Sequence, residues 1–236
     1  MDKKTRQLDL SVSQLRVREA GEERSRTIEG YAVVFGVRSV NLTPWSQYRE
    51  VYEVMEPGSI SQQLLDRSDV VLTAFHDDTA ILGRWRSGEG TLSLSLDAKG
   101  LRMECTLADT ERANELLSAI ERGDISGMSF AFTADEEDSE NGVSYERLAD
   151  SADGKETWLR HVKSITGLYD VTIAGHPAYP QTTIGQREVD IDKALDERLG
   201  EPTALAAERE AQQRREAEAL AAEMRRRLDT LRNINV

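Results

Sequence analysis

Every second residue is apolar along two neighbouring segments in the middle of the chain. Leucine alternates with serine in Leu92–Leu96, and the alternation resumes along Leu101–Leu107 after the turn residues Asp97–Gly100. A period of two residues places alternate side chains on the same face of a β-strand. The pattern therefore predicts a β-hairpin with one buried face and a four-residue loop.

A helix is predicted directly after this hairpin. Apolar residues recur there at the spacing that lines one face of a helix. They are Ala113, Leu116, Leu117 and Ile120. Asp109 or Thr110 can cap the first turn, and Gly123 supplies the C-terminal stop.

The other apolar segments before Thr183 predict further strands. These strands are predicted at 8–17, 28–35, 125–132, 158–165 and 168–173. Together with the hairpin and the helix they indicate an α+β fold that is mostly β. The acidic segment 135–156 is predicted to be a solvated loop or a long hairpin tip, because its carboxylates do not follow the spacing of a calcium-binding loop.

The sequence changes character near Val189. Ala, Glu, Arg, Gln and Leu dominate from there on, and no aromatic residue follows Tyr179. Pro202 lies where a helix can begin, but the apolar stripe beyond it is too narrow for a core of its own. The stripe consists of Leu220, Met224, Leu228 and Leu231. We predict one globular domain over 1–186 and a charged, helical or flexible C-terminal arm over 187–236.

Composition and charge narrow the classes of function. Charged residues make up 31% of the chain and the formal net charge is −13, which argues against nucleic acid or an anionic membrane as the main partner. A single cysteine excludes a disulfide framework and any multi-cysteine metal site. No apolar run approaches the ~20 residues of a membrane span, and no signal peptide follows the charged start. We expect a soluble, intracellular protein without a metal or cofactor.

Each of the three histidines has a different setting. His76 follows the apolar run Val70–Phe75, so we place it at a strand end that opens into a loop, where it can act as a base. The alternative for His76 is a surface histidine in a turn. His161 is predicted to pack across strands, and His176, which precedes Pro177, is predicted to lie in a loop.

Two serines, Ser126 and Ser129, lie in the predicted strand 125–132. Period-two geometry places Ser129 beside Gly127 and Ala131, where a substrate backbone can approach, whereas Ser126 shares the face of bulkier side chains. Ser129 is therefore the better candidate for a nucleophile. The alternative is a strand serine that only donates hydrogen bonds across the sheet.

Asp170 lies inside the predicted strand Leu168–Ile173. Alternation places it on one face with Leu168 and Thr172, opposite the face of Tyr169. A buried carboxylate needs a partner, and an imidazole would suit it, whereas the alternative is a half-exposed strand aspartate. Cys105 continues the buried face of the hairpin and is predicted to be a core residue rather than a nucleophile.

His76, Ser129 and Asp170 lie within a set of five segments whose order resembles that of the prohead (capsid maturation) proteases of HK97-type tailed bacteriophages. The segments are Glu29–Gly36, Glu53–Ile60, Phe75–Asp77 with Leu82–Arg84, Gly123–Phe132, and Leu168–Ile173 with Pro177–Pro180. The resemblance implies a serine endopeptidase akin to the herpesvirus assemblin fold. It further implies a closed or partly closed antiparallel β-barrel with flanking helices.

The resemblance also implies catalytic roles. His76 would be the base and Ser129 the nucleophile, and Asp170 would be the third member of a triad. The family tends to have Glu before Val-Ser at that place, where this sequence has Asp170 before Val171 and Thr172. Assemblin-like enzymes use a second histidine instead, so His161 and His176 stay open as alternatives to Asp170.

The substrates implied by the resemblance are the phage scaffolding protein or the scaffold domain of the major capsid protein. They would be cut inside the immature capsid in the host cytoplasm, and the protease would also cut itself. The arm would dock on helical scaffold and be removed by self-cleavage, or it would only keep the protein in solution. No nucleic acid, membrane or cofactor is implied, and a homo-oligomer stays open.

Two further hypotheses come from other functional classes. The first is a non-catalytic capsid-assembly or scaffolding factor that retains the protease fold and works through its arm. The second is an unrelated serine hydrolase that acts on small esters.

Overall fold

The computed structural model describes residues 4–7, 14–18, 25–174 and 195–234. Side chains are described for 14–18, 25–174 and 195–218. Residues 8–13 of the predicted first strand lie outside the described residues, while a short strand forms at its end. Strands and helices are numbered below in chain order.

A six-stranded sheet forms one wall of the molecule. Across this sheet the strands are β1 (Lys4–Gln7), β10 (Gly127–Ala134), β13 (Ile165–Ala174), β5 (Asp69–Ala74), β6 (Ile81–Arg86) and β7 (Glu89–Gly90). All neighbours are antiparallel except β13 and β5, which run parallel. Every residue of β10 is buried, which is expected of a strand that is covered on both faces.

A four-stranded antiparallel sheet packs against this wall. Its strands, in order, are β2 (Arg16–Val17), β3 (Thr27–Val34), β9 (Gly100–Thr106) and β8 (Leu92–Leu96). β8 and β9 confirm the predicted hairpin, and Asp97 closes its turn by accepting a hydrogen bond from the Gly100 amide at 2.9 Å. Residues of both sheets, such as Leu72, Met103 and Phe130, contribute to one hydrophobic core.

Two short helices flank the sheets. They are α1 (Gln62–Arg67) and α2 (Glu111–Glu121). α2 confirms the predicted helix, because Thr110 caps it through the Ala113 amide and the four apolar positions are buried. The backbone then turns at Gly123, whose φ of +79° favours glycine.

The predicted barrel is not confirmed. The described strands form separate ladders, and none of these ladders closes on itself. The six-stranded sheet ends at β7, which is only two residues long and leads at once into β8 of the four-stranded sheet. The chain can cross over there because Gly90 has a φ of +128° and a Cβ at this position would lie 1.9 Å from the Arg84 carbonyl oxygen.

A three-stranded sheet lies at the side of the molecule. Its strands, in order, are β11 (Val143–Arg147), β12 (Glu156–Val162) and β4 (Arg49–Met55). β12 runs antiparallel to β11 and parallel to β4. β11 lies inside the acidic segment 135–156, so this segment is not a loop throughout. The predicted hairpin tip is present at residues 148–155, which connect the antiparallel strands β11 and β12.

Buried charges hold this sheet to the neighbouring acidic turn. Arg160 of β12 is 2% exposed and donates hydrogen bonds to Glu53 of β4 and to Glu136. Glu53 is 3% exposed, so this carboxylate has little access to water. Removal of one partner from a buried ion pair of this kind is strongly destabilising, because it leaves an uncompensated charge away from water.

We expect Arg160→Met to destabilise the protein by about 3–5 kcal/mol, because it leaves two carboxylates without their buried cation. The measurement is urea-induced unfolding of the full chain. Arg147→Met is the matched control: its side chain is 37% exposed, and we expect a loss of no more than ~1 kcal/mol there. Equal losses in both variants would contradict this account of Arg160.

The arm contains a long helix, α3 (Thr203–Ile234), which begins directly after Pro202 as predicted. Residues 195–199 form a further helical segment before it. The described part of the chain has no helix that is both long and apolar enough to cross a membrane. The predicted boundary between 186 and 187 lies outside the described residues and stays a prediction.

The start of the arm contacts the three-stranded sheet. Arg49 of β4, whose side chain is 4% exposed, donates to Asp196 at 3.0 Å and to the carbonyl oxygen of Gly200 at 2.6 Å. Tyr48 donates to Glu208 at 2.7 Å, and the amide of Thr203 donates to a Glu156 oxygen of β12 at 3.0 Å. The first turns of α3 are thus attached to the globular part by charge-assisted hydrogen bonds.

Candidate active site

Strand register brings the candidate residues of β10 and β13 to one face of the six-stranded sheet. Ser129 lies opposite Thr172, and Ala131 lies opposite Asp170. Residues that are directly opposite in an antiparallel pair point to the same side, and so do residues two apart along one strand. The small side chain of Ala131 therefore lies next to Asp170 on the same face as Ser129.

A β-bulge changes the predicted alternation of β13. The register shifts so that Ala131 pairs with Asp170 while Phe132 pairs with Leu168, which leaves Tyr169 as the extra residue. Leu168 consequently packs in the hydrophobic core and Tyr169 is 42% exposed. The prediction that Leu168 shares a face with Asp170 is wrong for this reason, because one extra residue reverses the alternation on one side of it.

His76 reaches this face through a turn that follows β5. Phe75 and His76 have φ values of +58° and +56°, a conformation that costs a non-glycine residue about 1–2 kcal/mol. The Phe75 amide donates to the Ile173 carbonyl oxygen at 3.0 Å, and the His76 amide donates to Thr172 Oγ1, also at 3.0 Å. These two bonds hold the turn against β13 and direct the imidazole back over the sheet.

The three candidate side chains form one chain of hydrogen bonds. His76 Nε2 lies 2.8 Å from Ser129 Oγ, and His76 Nδ1 lies 3.0 Å from Asp170 Oδ1. An ionised carboxylate only accepts hydrogen bonds, so Nδ1–H donates to Asp170 and the lone pair of Nε2 accepts from the serine hydroxyl. The arrangement can take a proton from Ser129 and stabilise the imidazolium that results.

The site is closed on the sheet side and open at the imidazole. Ser129 and Asp170 are each 2% exposed, whereas the His76 side chain is 29% exposed. A buried carboxylate needs a hydrogen-bond partner, and the His76 imidazole is that partner for Asp170.

Asp77 stabilises the turn that carries His76. Its carboxylate accepts from the Thr79 hydroxyl at 2.5 Å, from the Thr79 amide at 2.9 Å and from Arg112 of α2 at 3.0 Å. The Thr79 hydroxyl first, and then Arg112, lower the pKa of Asp77 to about 2. Asp77 therefore stays ionised at neutral pH and links the turn to α2.

Other predicted candidates lie away from this hydrogen-bond chain or cannot be placed. His161 lies in β12, with Nδ1 2.7 Å from Glu56 and Nε2 3.1 Å from Glu146. Both nitrogens of His161 thus face carboxylates of its own sheet region rather than His76. His176 lies outside the described residues, and Ser126 precedes the first residue of β10.

Cys105 packs in the core, as predicted. It is 1% exposed, and burial raises the pKa of its thiol to about 11. A thiol in this state is a poor nucleophile at neutral pH, because the reactive form is the thiolate.

Two threonines beneath His76 were not predicted from the sequence. Thr172 accepts from the His76 amide, and Thr73 of β5 donates to Thr172 Oγ1 at 2.8 Å. Both are fully buried. The sequence does contain one indication of the role of Thr172: it lies two residues after Asp170, and this spacing places both side chains on the same face of the strand.

Comparison with known proteins agrees with the resemblance seen in the sequence. The model of the family described as caudovirus prohead serine protease matches residues 13–197. This match includes Ser129, His76 and Asp170. No curated protein matches the chain, and no solved structure matches it. Since the family model covers more than half of the sequence, the chain belongs to the caudovirus prohead serine proteases.

Proposed function

We propose that the chain is a serine endopeptidase of phage capsid maturation, with Ser129 as nucleophile, His76 as general base and Asp170 as the carboxylate that orients His76. The observation that carries the proposal is the unbroken contact from Ser129 Oγ through the imidazole to Asp170, at 2.8 and 3.0 Å. Its substrates are the scaffolding protein or the scaffold domain of the capsid protein inside the immature capsid, and the chain itself.

The residues account for each proton in this chemistry. Ser129 Oγ attacks the scissile carbonyl carbon while His76 Nε2 takes the hydroxyl proton. Asp170 remains ionised, accepts from Nδ1–H and stabilises the imidazolium. His76 then gives the proton to the leaving amine, and a water molecule repeats the sequence to release the acyl group from Ser129.

The exposed, charged surface of the arm supports the proposal that its partner is a capsid or scaffolding protein. The side chains of α3 between residues 207 and 218 are exposed, so most of this surface is free of contacts with the globular part of the described chain. The segment is rich in Glu and Arg, which suits recognition of another charged helix. We propose that the arm docks on helical scaffold and is later removed by self-cleavage.

Covalent labelling tests the assignment of the nucleophile. A small fluorophosphonate reacts with serine hydroxyls that a neighbouring base activates, and peptide mapping by mass spectrometry locates the adduct. We expect an adduct on Ser129 and none on Ser126. The adduct on Ser129 should form at least about 10²-fold faster in the native chain than in a His76→Ala variant. Equal rates in the two proteins would contradict the proposed function.

We expect Thr172→Val to act as a defect in positioning His76. Valine has nearly the same shape but cannot accept from the His76 amide, so the imidazole loses one of the bonds that fix its turn. The maximal rate of phosphonylation of Ser129 should fall by about 10–100-fold while the concentration of probe at half-maximal rate stays the same.

Thr172→Ser is the matched control for this prediction, because it keeps the hydroxyl and should restore most of the rate. A similar loss in the serine variant would show that packing, and not the hydrogen bond, determines the effect of Thr172.

A further inference from the structure

The outer edge of β10 is occupied by the chain's own N-terminal segment. β1 (Lys4–Gln7) pairs antiparallel with β10, and the pairing runs from Lys4 opposite Phe132 to Gln7 opposite Ser129. The other edge of β10 pairs with β13. β1 is therefore the end strand of the sheet and lies directly beside the candidate nucleophile.

The distance between paired strands makes this placement relevant to catalysis. Opposite residues in an antiparallel pair have Cα atoms about 4.5–5.5 Å apart. An extended substrate that pairs with β10 in the place of β1 would therefore pass directly beside Ser129, as Gln7 does. With β1 in place, Ser129 is 2% exposed.

β1 lacks the apolar residues that would fix a strand firmly to the sheet. Lys-Thr-Arg-Gln contains no apolar residue, and the strand is only four residues long. Main-chain pairing links it to β10, and any extended polypeptide can supply such pairing. A short end strand of this kind opens at a lower free-energy cost than the core strands do.

We propose that the outer edge of β10 is the site where an extended polypeptide substrate adds as an antiparallel strand, and that Lys4–Gln7 is an internal occupant of this edge that must leave before substrate binds. The inference rests on the proposed function, because it takes the incoming strand to be the substrate of Ser129. It assigns β1 the role of a competitive, intramolecular inhibitor.

Removal of the occupant tests the inference. A chain that lacks residues 2–7 but keeps Met1 should react with the fluorophosphonate at Ser129 about tenfold faster or more than the intact chain does. Rates that agree within twofold would overturn the inference.

Proline substitution provides the same test in the full-length chain. Successive residues of an antiparallel edge strand alternate in whether they bond to the neighbouring strand, so Thr5→Pro together with Arg6→Pro removes at least one N–H that faces β10. We expect this double variant to react as fast as the shortened chain. Asp2→Pro, which lies outside β1, is the control and should react like the intact chain.

A peptide supplied in solution tests the strand-binding edge directly. The peptide Asp2–Asp9, at millimolar concentration, should slow the labelling of Ser129 in the shortened chain. The same peptide with proline at the positions of Thr5 and Arg6 should have no effect. Equal effects of the two peptides, or no effect of either, would overturn the inference.

The failure of this inference is distinct from the failure of the proposed function. The labelling rate of Ser129 can depend on His76 and yet stay the same when residues 2–7 are removed or the peptide is added. In that case only the role proposed for β1 is wrong. If Ser129 reacts in neither the intact nor the shortened chain, the proposed function is wrong as well.

Discussion

Ser129→Ala is expected to abolish proteolysis. Removal of the nucleophile from a serine protease lowers kcat by about 10⁶-fold, because no other group can form the acyl-enzyme. The fold should survive, since the substitution removes a single hydroxyl, and its partner His76 is 29% exposed and can bond to water instead. We expect the free energy of unfolding to change by no more than ~1 kcal/mol.

Intact-mass spectrometry of the purified full chain, followed over prolonged incubation, measures this effect. The native chain should lose a C-terminal fragment, and the alanine variant should not. Co-expression with the phage scaffolding or capsid protein extends the same comparison to a substrate in trans. Ser126→Ala is the matched control, because it removes a hydroxyl three residues earlier and should leave cleavage unchanged.

Processing that continues unchanged in Ser129→Ala would refute the assignment of the nucleophile. Absence of cleavage in both native chain and variant, together with absence of labelling at Ser129, would favour the assembly factor. In that case deletion of the arm, rather than a change at His76, would disturb capsid assembly.

Asp170→Asn is expected to have the second-largest effect, a fall in kcat on the order of 10⁴-fold. The amide has nearly the same size as the carboxylate, so the buried site can keep its packing. However, asparagine can donate to Nδ1, which favours the imidazole tautomer that has its proton on Nε2. His76 then cannot accept the proton of Ser129.

The rate of phosphonylation of Ser129 and the rate of self-cleavage both report this change. Urea unfolding verifies that the asparagine variant is folded. Glu146→Gln is a suitable control, because it alters a carboxylate next to His161 on the three-stranded sheet. If Asp170→Asn keeps its activity while Glu146→Gln loses it, then His161 and not Asp170 is the third member.

Local patterns in the sequence predicted the parts of the fold that depend on neighbouring residues. The β8–β9 hairpin and helix α2 follow from alternation and from helical spacing over fewer than twenty residues each. The barrel was not confirmed, because sheet closure depends on which distant strands pair. The parallel pairing of β13 with β5 and of β12 with β4 leaves no trace in local periodicity.

In the candidate site, too, local patterns predicted some features, and features that depend on distant contacts were missed. Alternation alone placed Ser129 among small side chains, and the resemblance to prohead proteases supplied the connection to His76 and Asp170. The bulge at Tyr169 and the positive φ of His76 could not be predicted, because both depend on contacts between β13 and strands far away in the sequence. The role of Thr172 could not be predicted for a related reason, because it depends on the backbone amide of His76 in a distant turn.

The attachment of the arm through Arg49 has a consequence for how maturation ends. If the chain is cut before Leu195, the peptide bond is lost but the contacts of Arg49, Tyr48 and Glu156 with the arm remain. The arm then changes from a covalent extension into a ligand whose departure depends on dilution. In a dilute solution it would diffuse away, whereas the confined volume of a capsid would keep its local concentration high and favour rebinding.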